Sequence, residues 1–147
     1  MITLKNKKNQ KIHLYSNQEQ VLQQGSFPVL HIVYEDGFTR DEQLKALNNI
    51  LDVESEWYLS YGPDSLLWSQ CAEIKMISHI SEDPLLHGSF QSIHFDDNSP
   101  LTKAFHKLFD LGSAKNDNKS YETFIVISDN LTETTENLIK MGFIDEN

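Results

Sequence analysis

Short, nearly continuous apolar runs recur along the chain at intervals of about thirty residues. Four of them have the composition of strands that are covered on both faces, and they lie at 28–35, 57–62, 90–96 and 123–129. The segments between them carry apolar residues at helical spacing. This alternation predicts an α/β fold with three layers (α/β/α), in which a mainly parallel sheet of about four strands lies between helices.

Capping signals predict where the helices begin. Thr39 and Glu42 form a T-x-x-E capping box ahead of the first helical segment. Ser99, followed by proline, is a good N-cap for a later helix, and Asn130 has the same role for the last one. Thr39, Ser99 and Asn130 therefore each mark the predicted N-terminus of a helix that follows a loop.

The first fifteen residues predict a β-hairpin. Two apolar-alternating runs, at 2–4 and 12–15, are joined by the polar segment KNKKNQK. The hairpin is predicted as an addition to a repeated strand-helix core at 28–142. No linker and no change of composition divides residues 1–147, so a single domain is expected.

The composition indicates a globular protein with a substantial core. The chain has two Trp, five Tyr and eight Phe, which is too aromatic for a disordered acidic tail. The single cysteine, Cys71, excludes an intramolecular disulfide. No secretion leader and no apolar run of about 20 residues is found, so a cytoplasmic protein without a membrane span is expected.

The chain is strongly acidic. It holds 12 basic and 22 acidic residues, for a formal net charge of −10, and four lysines lie within the first eleven residues. Such a surface repels a phosphate backbone and attracts a cationic protein. The charge therefore predicts a basic protein partner and no direct contact with nucleic acid. An acid excess that only keeps the protein soluble is the alternative.

The segment PDSLLWSQCAEIK contains the PD…ExK pattern of Mg²⁺-dependent nucleases. That chemistry needs Glu73 and Lys75 on one face of a strand, two residues apart. Apolar residues of the same region recur at helical spacing: Leu67, Cys71, Ile74 and Ile77. This spacing favours a helix that buries that face. Because an alternating strand pattern also fits, a Mg²⁺-dependent nuclease or phosphoesterase stays open as the alternative function.

Acidic residues follow every predicted strand of the core. The carboxyl ends of parallel strands meet at one edge of a sheet, where α/β proteins place their sites. We therefore predict one partner-binding edge with aromatic anchors, made of Asp36, Asp64, Asp96, Asp97, Asp129, His94, Tyr61 and Phe38. Tyr34 and Phe95 lie nearby in the sequence. Helix capping by single aspartates and Mg²⁺ binding by the group are the other two interpretations.

The sequence predicts no catalytic residues, no cofactor and no metal site. No glycine-rich phosphate loop follows any strand, and Arg40 is the only arginine. Cys71 lies on the proposed buried helix face, where a small core residue is expected. The oligomeric state does not follow from the sequence.

Two segments, WYLSYGPDSLLW and SIHFDDNSPLTKAFHKLF, resemble an uncharacterised bacterial family of small α/β proteins. Members of that family have a W-G-P-D-like turn and an H-D-D-like strand followed by a helix. The resemblance covers 28–142, departs from the pattern at Tyr61 and Ile93, and implies no activity. By size and charge the chain is also similar to immunity proteins of bacterial contact-dependent or secreted toxin systems. A non-catalytic immunity protein that neutralises a basic nuclease toxin is the expected function, and an interaction or structural protein of another kind stays open.

Overall fold

The computed structural model describes residues 1–21, 27–82, 90–112 and 121–146. In this part of the chain seven strands form one mixed sheet, against which four helices pack. The elements in chain order are β1 (Ile2–Lys5), β2 (Lys11–Ser16), β3 (Val29–Ile32), α1 (Arg40–Leu47), β4 (Trp57–Tyr61), α2 (Ser65–Glu82), β5 (Gln91–Phe95), α3 (Leu101–Gly112), β6 (Thr123–Ser128), α4 (Leu131–Lys140) and β7 (Ile144–Asp145). The predicted α/β class is confirmed.

The sheet differs from the prediction in size and in strand direction. Its strand order is β5-β4-β3-β6-β2-β1-β7. The pairings from β5 to β2 are parallel, whereas β1 pairs antiparallel with both β2 and β7. The prediction of a mainly parallel sheet of about four strands is therefore wrong, because the sheet is mixed and has seven strands.

The N-terminal hairpin is part of the sheet and not an addition to it. All six residues of β2 pair with β6. Ile12 and Leu14 enter the core on one face of the sheet, and Tyr15 enters the core on the other. The apolar pattern predicts that these residues form a strand, but a local pattern does not say which strand lies beside it.

Two apolar cores lie on opposite faces of the sheet. The core under α3 and α4 includes Phe105 and Leu138, both with no exposed surface. The core under α1 and α2 includes Leu47 and Met76, which are equally buried. Successive residues of each central strand enter opposite cores, which explains why these strands appear as continuous apolar runs in the sequence.

At the carboxyl edge of the parallel part of the sheet, the connections after neighbouring strands lead to helices on opposite faces. The chain leaves β3 and β4 towards α1 and α2, but it leaves β5 and β6 towards α3 and α4 on the other face. Because β3 lies beside β6, and β4 beside β5, the connections turn to opposite faces at both of these places, although hydrogen bonds join their first residues. Such divergence opens the crevices at which α/β proteins bind their ligands.

The basic turn of the hairpin lies at the opposite edge. Lys11, the first residue of β2, pairs with the first residue of β6, so the turn that carries Lys7 and Lys8 is at the amino edge. The six residues of β2 span about 20 Å at roughly 3.3 Å per residue. The lysine turn and the aspartates that follow β3 to β6 are therefore at opposite ends of the strands.

Helix α1 depends on its N-terminal cap. The Thr39 hydroxyl accepts a hydrogen bond from the Glu42 N–H, and the Glu42 carboxylate accepts one from the Thr39 N–H, which confirms the predicted capping box. The helix has only 8 residues, and isolated helices shorter than about 12 residues are marginal in water.

Thr39→Ala should therefore lower the free energy of unfolding by about 1 kcal/mol, as measured by urea denaturation. Thr132→Ala, at an exposed position of α4, is the control and should change it by less than about 0.5 kcal/mol. Equal losses in the two variants would contradict the capping role of Thr39.

Candidate functional site at the carboxyl edge

Two of the predicted aspartates connect the loops at the carboxyl edge. Asp129, directly after β6, accepts hydrogen bonds from the N–H groups of Tyr34 at 2.9 Å and Glu35 at 3.0 Å, in the loop after β3. Asp64, which follows β4, accepts one from the Gly37 N–H at 3.1 Å. Both carboxylates have a structural role, because they satisfy backbone donors that neither a helix nor a strand satisfies.

Tyr34 and Tyr61 form an aromatic pair beside these connections. Their ring centroids are 5.8 Å apart and the rings meet at 77°. The Tyr61 hydroxyl donates a hydrogen bond to the Ser99 carbonyl at 2.6 Å. The Tyr34 hydroxyl is buried and has no hydrogen-bond partner of normal geometry among the described residues. The two rings thus place at this edge one hydroxyl that is bonded to the backbone and one that lies beside the Glu133 carboxylate.

Acidic side chains surround the tyrosine pair. Burial raises the pKa of Tyr34, and the nearby charge of Glu133 raises it further. Burial also raises the pKa of Tyr61, followed by the charges of Asp97 and Glu133. Both phenols therefore stay protonated at neutral pH. We refer to this set as the acidic edge: Tyr34, Tyr61, Asp96, Asp97, Asp129 and Glu133.

The predicted partner-binding residues are divided between two sides of the molecule. Tyr61, Asp96, Asp97 and Asp129 belong to the acidic edge, and Asp36 is exposed in the loop after β3. Asp64 binds the Gly37 N–H in that same loop. The remaining two residues, Phe38 and His94, lie elsewhere. Most of the strand-end carboxylates thus lie at one edge of the sheet, whereas the two aromatic residues proposed as anchors do not lie together.

Phe38 and His94 face the side of the sheet that α1 and α2 cover. Phe38 is half-buried and packs edge-on against Trp68, with ring centroids 5.4 Å apart. His94 is exposed on β5, and strand alternation places it on the same face as Ser92, which contacts Ser69 of α2. His94 points away from the tyrosine pair because it alternates along β5 with Phe95, which packs on the other face. Phe38 is apart from the pair because it packs against the core under α1 and α2.

Glu133 is the member of the acidic edge that the sequence did not identify. Its backbone N–H donates to the Asn130 side chain at 3.1 Å, which is the capping contact that the sequence predicts. In the sequence, the position of Glu133 three residues after Asn130 indicates only a role in helix capping. The short connection between β6 and α4 brings it to the same edge as Asp129.

The EIK part of the PD…EIK segment is helical. Glu73 and Lys75 both lie on α2, which confirms the helix interpretation of this region. The Glu73 carboxylate accepts a hydrogen bond from the Ser92 hydroxyl at 2.7 Å, and the Lys75 amine donates to the Asn48 side chain at 2.7 Å. Residues two apart on a helix point about 200° away from each other. This pair therefore lacks the strand geometry that the nuclease chemistry requires.

The carboxylates do not converge on one point. Among the described residues, no group of three or more His, Cys, Asp or Glu side chains has an arrangement that could hold a metal ion. The acidic edge is instead suited to accept positive charge over an extended surface around two neutral aromatic rings.

The outer face of α2 is apolar, contrary to the predicted burial. Leu67 is 49% exposed, Ile74 40% and Ile77 57%, whereas Cys71 is buried. The side that packs on the sheet carries Trp68, Cys71, Ala72 and Met76. Helical spacing alone does not decide which of two apolar stripes faces the sheet. Exposed apolar residues that lie together are a feature of interaction surfaces.

No family model, curated protein or solved structure matches the chain. The resemblances to an uncharacterised bacterial family and to immunity proteins therefore stay predictions. None of the described helices has both the length and the apolar character needed to cross a membrane. What the fold and the site define is a mixed α/β protein with an acidic, tyrosine-containing surface at the carboxyl edge of its sheet.

Proposed function

We propose that this protein is a non-catalytic binding protein of the immunity type, which neutralises a basic, nuclease-type bacterial toxin. The observation that carries the proposal is the acidic edge, where acidic residues from two loops and from the first turn of α4 surround the Tyr34–Tyr61 pair. A domain that cuts nucleic acid presents clustered Lys and Arg for the phosphate backbone. The acidic edge has the charge and the aromatic content to cover such a surface.

Charge would govern how fast the two proteins meet. The net charge of −10 attracts a cationic partner from a distance and accelerates encounter. The basic turn at the opposite end of the strands directs that partner to the acidic edge. Once the complex has formed, tyrosines with desolvated neighbours are typical sources of binding energy, and paired charges slow dissociation.

The exposed aspartates allow charge to be tested apart from folding. The Asp36 and Asp97 carboxylates make no hydrogen bond with any described residue, unlike those of Asp64 and Asp129. The double variant Asp36→Asn with Asp97→Asn should lower the association rate constant for the toxin domain about tenfold at low salt. Surface plasmon resonance or stopped-flow fluorescence would measure it, and 0.5 M salt should remove most of the difference.

The matched control is the double variant Glu54→Gln with Glu122→Gln. Both residues are exposed at the amino edge, where Glu54 lies three residues before β4 and Glu122 directly precedes β6. Two carboxylates are lost in each double variant, so the change in net charge is the same. An equal slowing in both double variants would show that net charge alone matters. No slowing in either would contradict binding at the acidic edge and the neighbouring loop after β3 that carries Asp36.

The toxin to use is the product of the reading frame adjacent to the gene for this protein. We expect that frame to encode a basic nuclease domain, and co-expression of this protein to restore growth of cells that produce it. Nucleic acid incubated with this protein and Mg²⁺ or Mn²⁺ should stay intact. Metal-dependent cleavage that is lost in an Asp64→Asn or Lys75→Gln variant would favour the enzyme alternative instead.

A further inference from the structure

A cavity of about 710 Å³ lies between α1, the segment after β2, and the face of the sheet that carries β3 and β6. It is separate from the acidic edge. Val33 and Ile127, at the carboxyl ends of these two strands, form its floor. The cavity is thus at one of the two places where neighbouring strands lead to helices on opposite faces, and its volume is within the range of about 300–1,000 Å³ that is usual for small-molecule sites.

Three aromatic rings form one wall of the cavity. His31 meets Trp68 edge-on with ring centroids 4.8 Å apart, and Phe38 meets it at 5.4 Å. Burial lowers the pKa of His31 to about 3, so this ring is neutral at pH 7. An uncharged aromatic wall favours a planar aromatic ring in the molecule that binds there.

Trp68 contributes an unsatisfied donor to this wall. The residue is 3% exposed, and its indole N–H is buried without a hydrogen-bond partner among the described residues. His31 does not accept from it through Nδ1, because that nitrogen already pairs with the Tyr58 hydroxyl at 2.7 Å. Native proteins seldom leave a buried donor unpaired, so an acceptor on a bound molecule would satisfy this N–H.

Lys45 is the charged group at the mouth that is available to a ligand. Glu19 and Glu42 also line the cavity, but Glu19 binds the N-terminal amine, and Glu42 caps α1. Lys45 is exposed and forms no ion pair with any residue that the structure describes. A ligand with a carboxylate would meet an unpaired positive charge there.

We propose that this cavity binds a small planar heteroaromatic carboxylate. Its ring acceptor would receive the hydrogen bond of the Trp68 indole, and its carboxylate would pair with Lys45. The indole nitrogen is covered by its neighbours in this structure, so binding includes a shift of the half-buried Phe38 ring. Phe38 lies in the loop between β3 and α1, where a side chain can move without disturbing a strand or a helix.

Three probes test the contact with Trp68 and the contact with Lys45 independently. Quinoline-3-carboxylate has both the ring acceptor and the acid group, naphthalene-2-carboxylate lacks the acceptor, and quinoline lacks the acid. In ¹H–¹⁵N spectra of the full chain, quinoline-3-carboxylate should shift the Trp68 indole signal, with a dissociation constant of about 1 mM or tighter for a ligand of this size. Each of the other two probes should bind about tenfold more weakly, since one contact is lost.

The other tryptophan of the chain, Trp57, serves as an internal control. Trp57 packs in the core under α3 and α4, so its indole signal should stay in place, and a Trp57→Phe variant assigns the two signals. Trp68→Phe should remove the preference for quinoline-3-carboxylate over its naphthalene analogue. Lys45→Gln, at an exposed position, should remove the preference for the acid over quinoline.

The titration of the unmodified protein decides the proposal even if Trp68→Phe does not fold. No shift of the Trp68 signal at 10 mM probe would overturn it, as would equal shifts of both indole signals. Equal affinities of the unmodified protein for the quinoline and naphthalene acids would also overturn it.

Discussion

Replacing Gly62 with alanine should prevent folding or lower the free energy of unfolding by at least about 3 kcal/mol. Gly62 directly follows β4 with φ +137°, and a Cβ there would lie 1.8 Å from the Val33 carbonyl oxygen. The clash is with backbone and not with a flexible side chain. Gly62 also donates its N–H to the Phe95 carbonyl at 3.1 Å, which holds it in place.

Gly37→Ala is the matched control for this prediction. Gly37 also has a positive φ, +86°, but an added Cβ would have no atom within 4 Å. Only the cost of the left-handed backbone conformation, about 1 kcal/mol, is expected. Both variants would be compared by soluble yield and urea denaturation. A loss for Gly62→Ala similar to that for Gly37→Ala would show that the chain relieves the clash at little cost.

The outcome also bears on the acidic edge. Gly62 lets the turn after β4 approach the end of β3, and in that geometry Asp64 reaches the Gly37 N–H. A folded Gly62→Ala protein would have to separate these two loops. Its affinity for a cationic partner would then be expected to fall together with its stability.

Stability should decrease as the pH falls below about 6.5, because of His31. The side chain is 3% exposed, and burial lowers its pKa from 6.5 to about 3 in the folded protein. Between these two values the unfolded chain binds the proton and the folded chain does not, so unfolding takes up protons. The free energy of unfolding then falls by up to about 1.4 kcal/mol per pH unit, or about 2 kcal/mol between pH 6.5 and pH 5.

Urea denaturation at pH 7.5, 6.5, 5.5 and 5.0 would measure this dependence. At pH 7.5 and above His31 is almost entirely neutral in both states and contributes almost no slope. His31→Phe removes the titrating group, although it leaves the Tyr58 hydroxyl without its partner, so the variant starts less stable but should have a shallower slope. The same slope in both proteins would show that other groups cause the loss of stability in acid.

Much of the acidic edge could be predicted from single residues. The aspartates could be placed at this edge because the end of each strand is predicted from neighbouring residues, and parallel strands bring their carboxyl ends together. Phe38 and Tyr61 have equally good positions in the sequence, yet they lie on opposite sides of the sheet. The side on which a loop residue lies depends on which helix the loop leads to, and the sequence does not contain that information in local form.

The cavity at Trp68 could not have been predicted. His31, Lys45 and Trp68 are far apart in the chain and belong to three different elements. Neither their spacing nor their types identify a site. Taken singly, His31 is explained as a core histidine, Lys45 as a residue of a helix surface and Trp68 as a packed indole.

The sequence by itself determined the strands at the four apolar runs, the capped starts of α1 and α4, and the acidic character of the carboxyl edge. These depend on neighbouring residues, whose preferences act locally. Only the tertiary structure decided that β2 lies inside the sheet beside β6, that α2 exposes Leu67 and Ile77, and that Trp68 lines a cavity. Strand neighbours and buried faces follow from contacts between residues far apart in the chain, and no local pattern records those contacts.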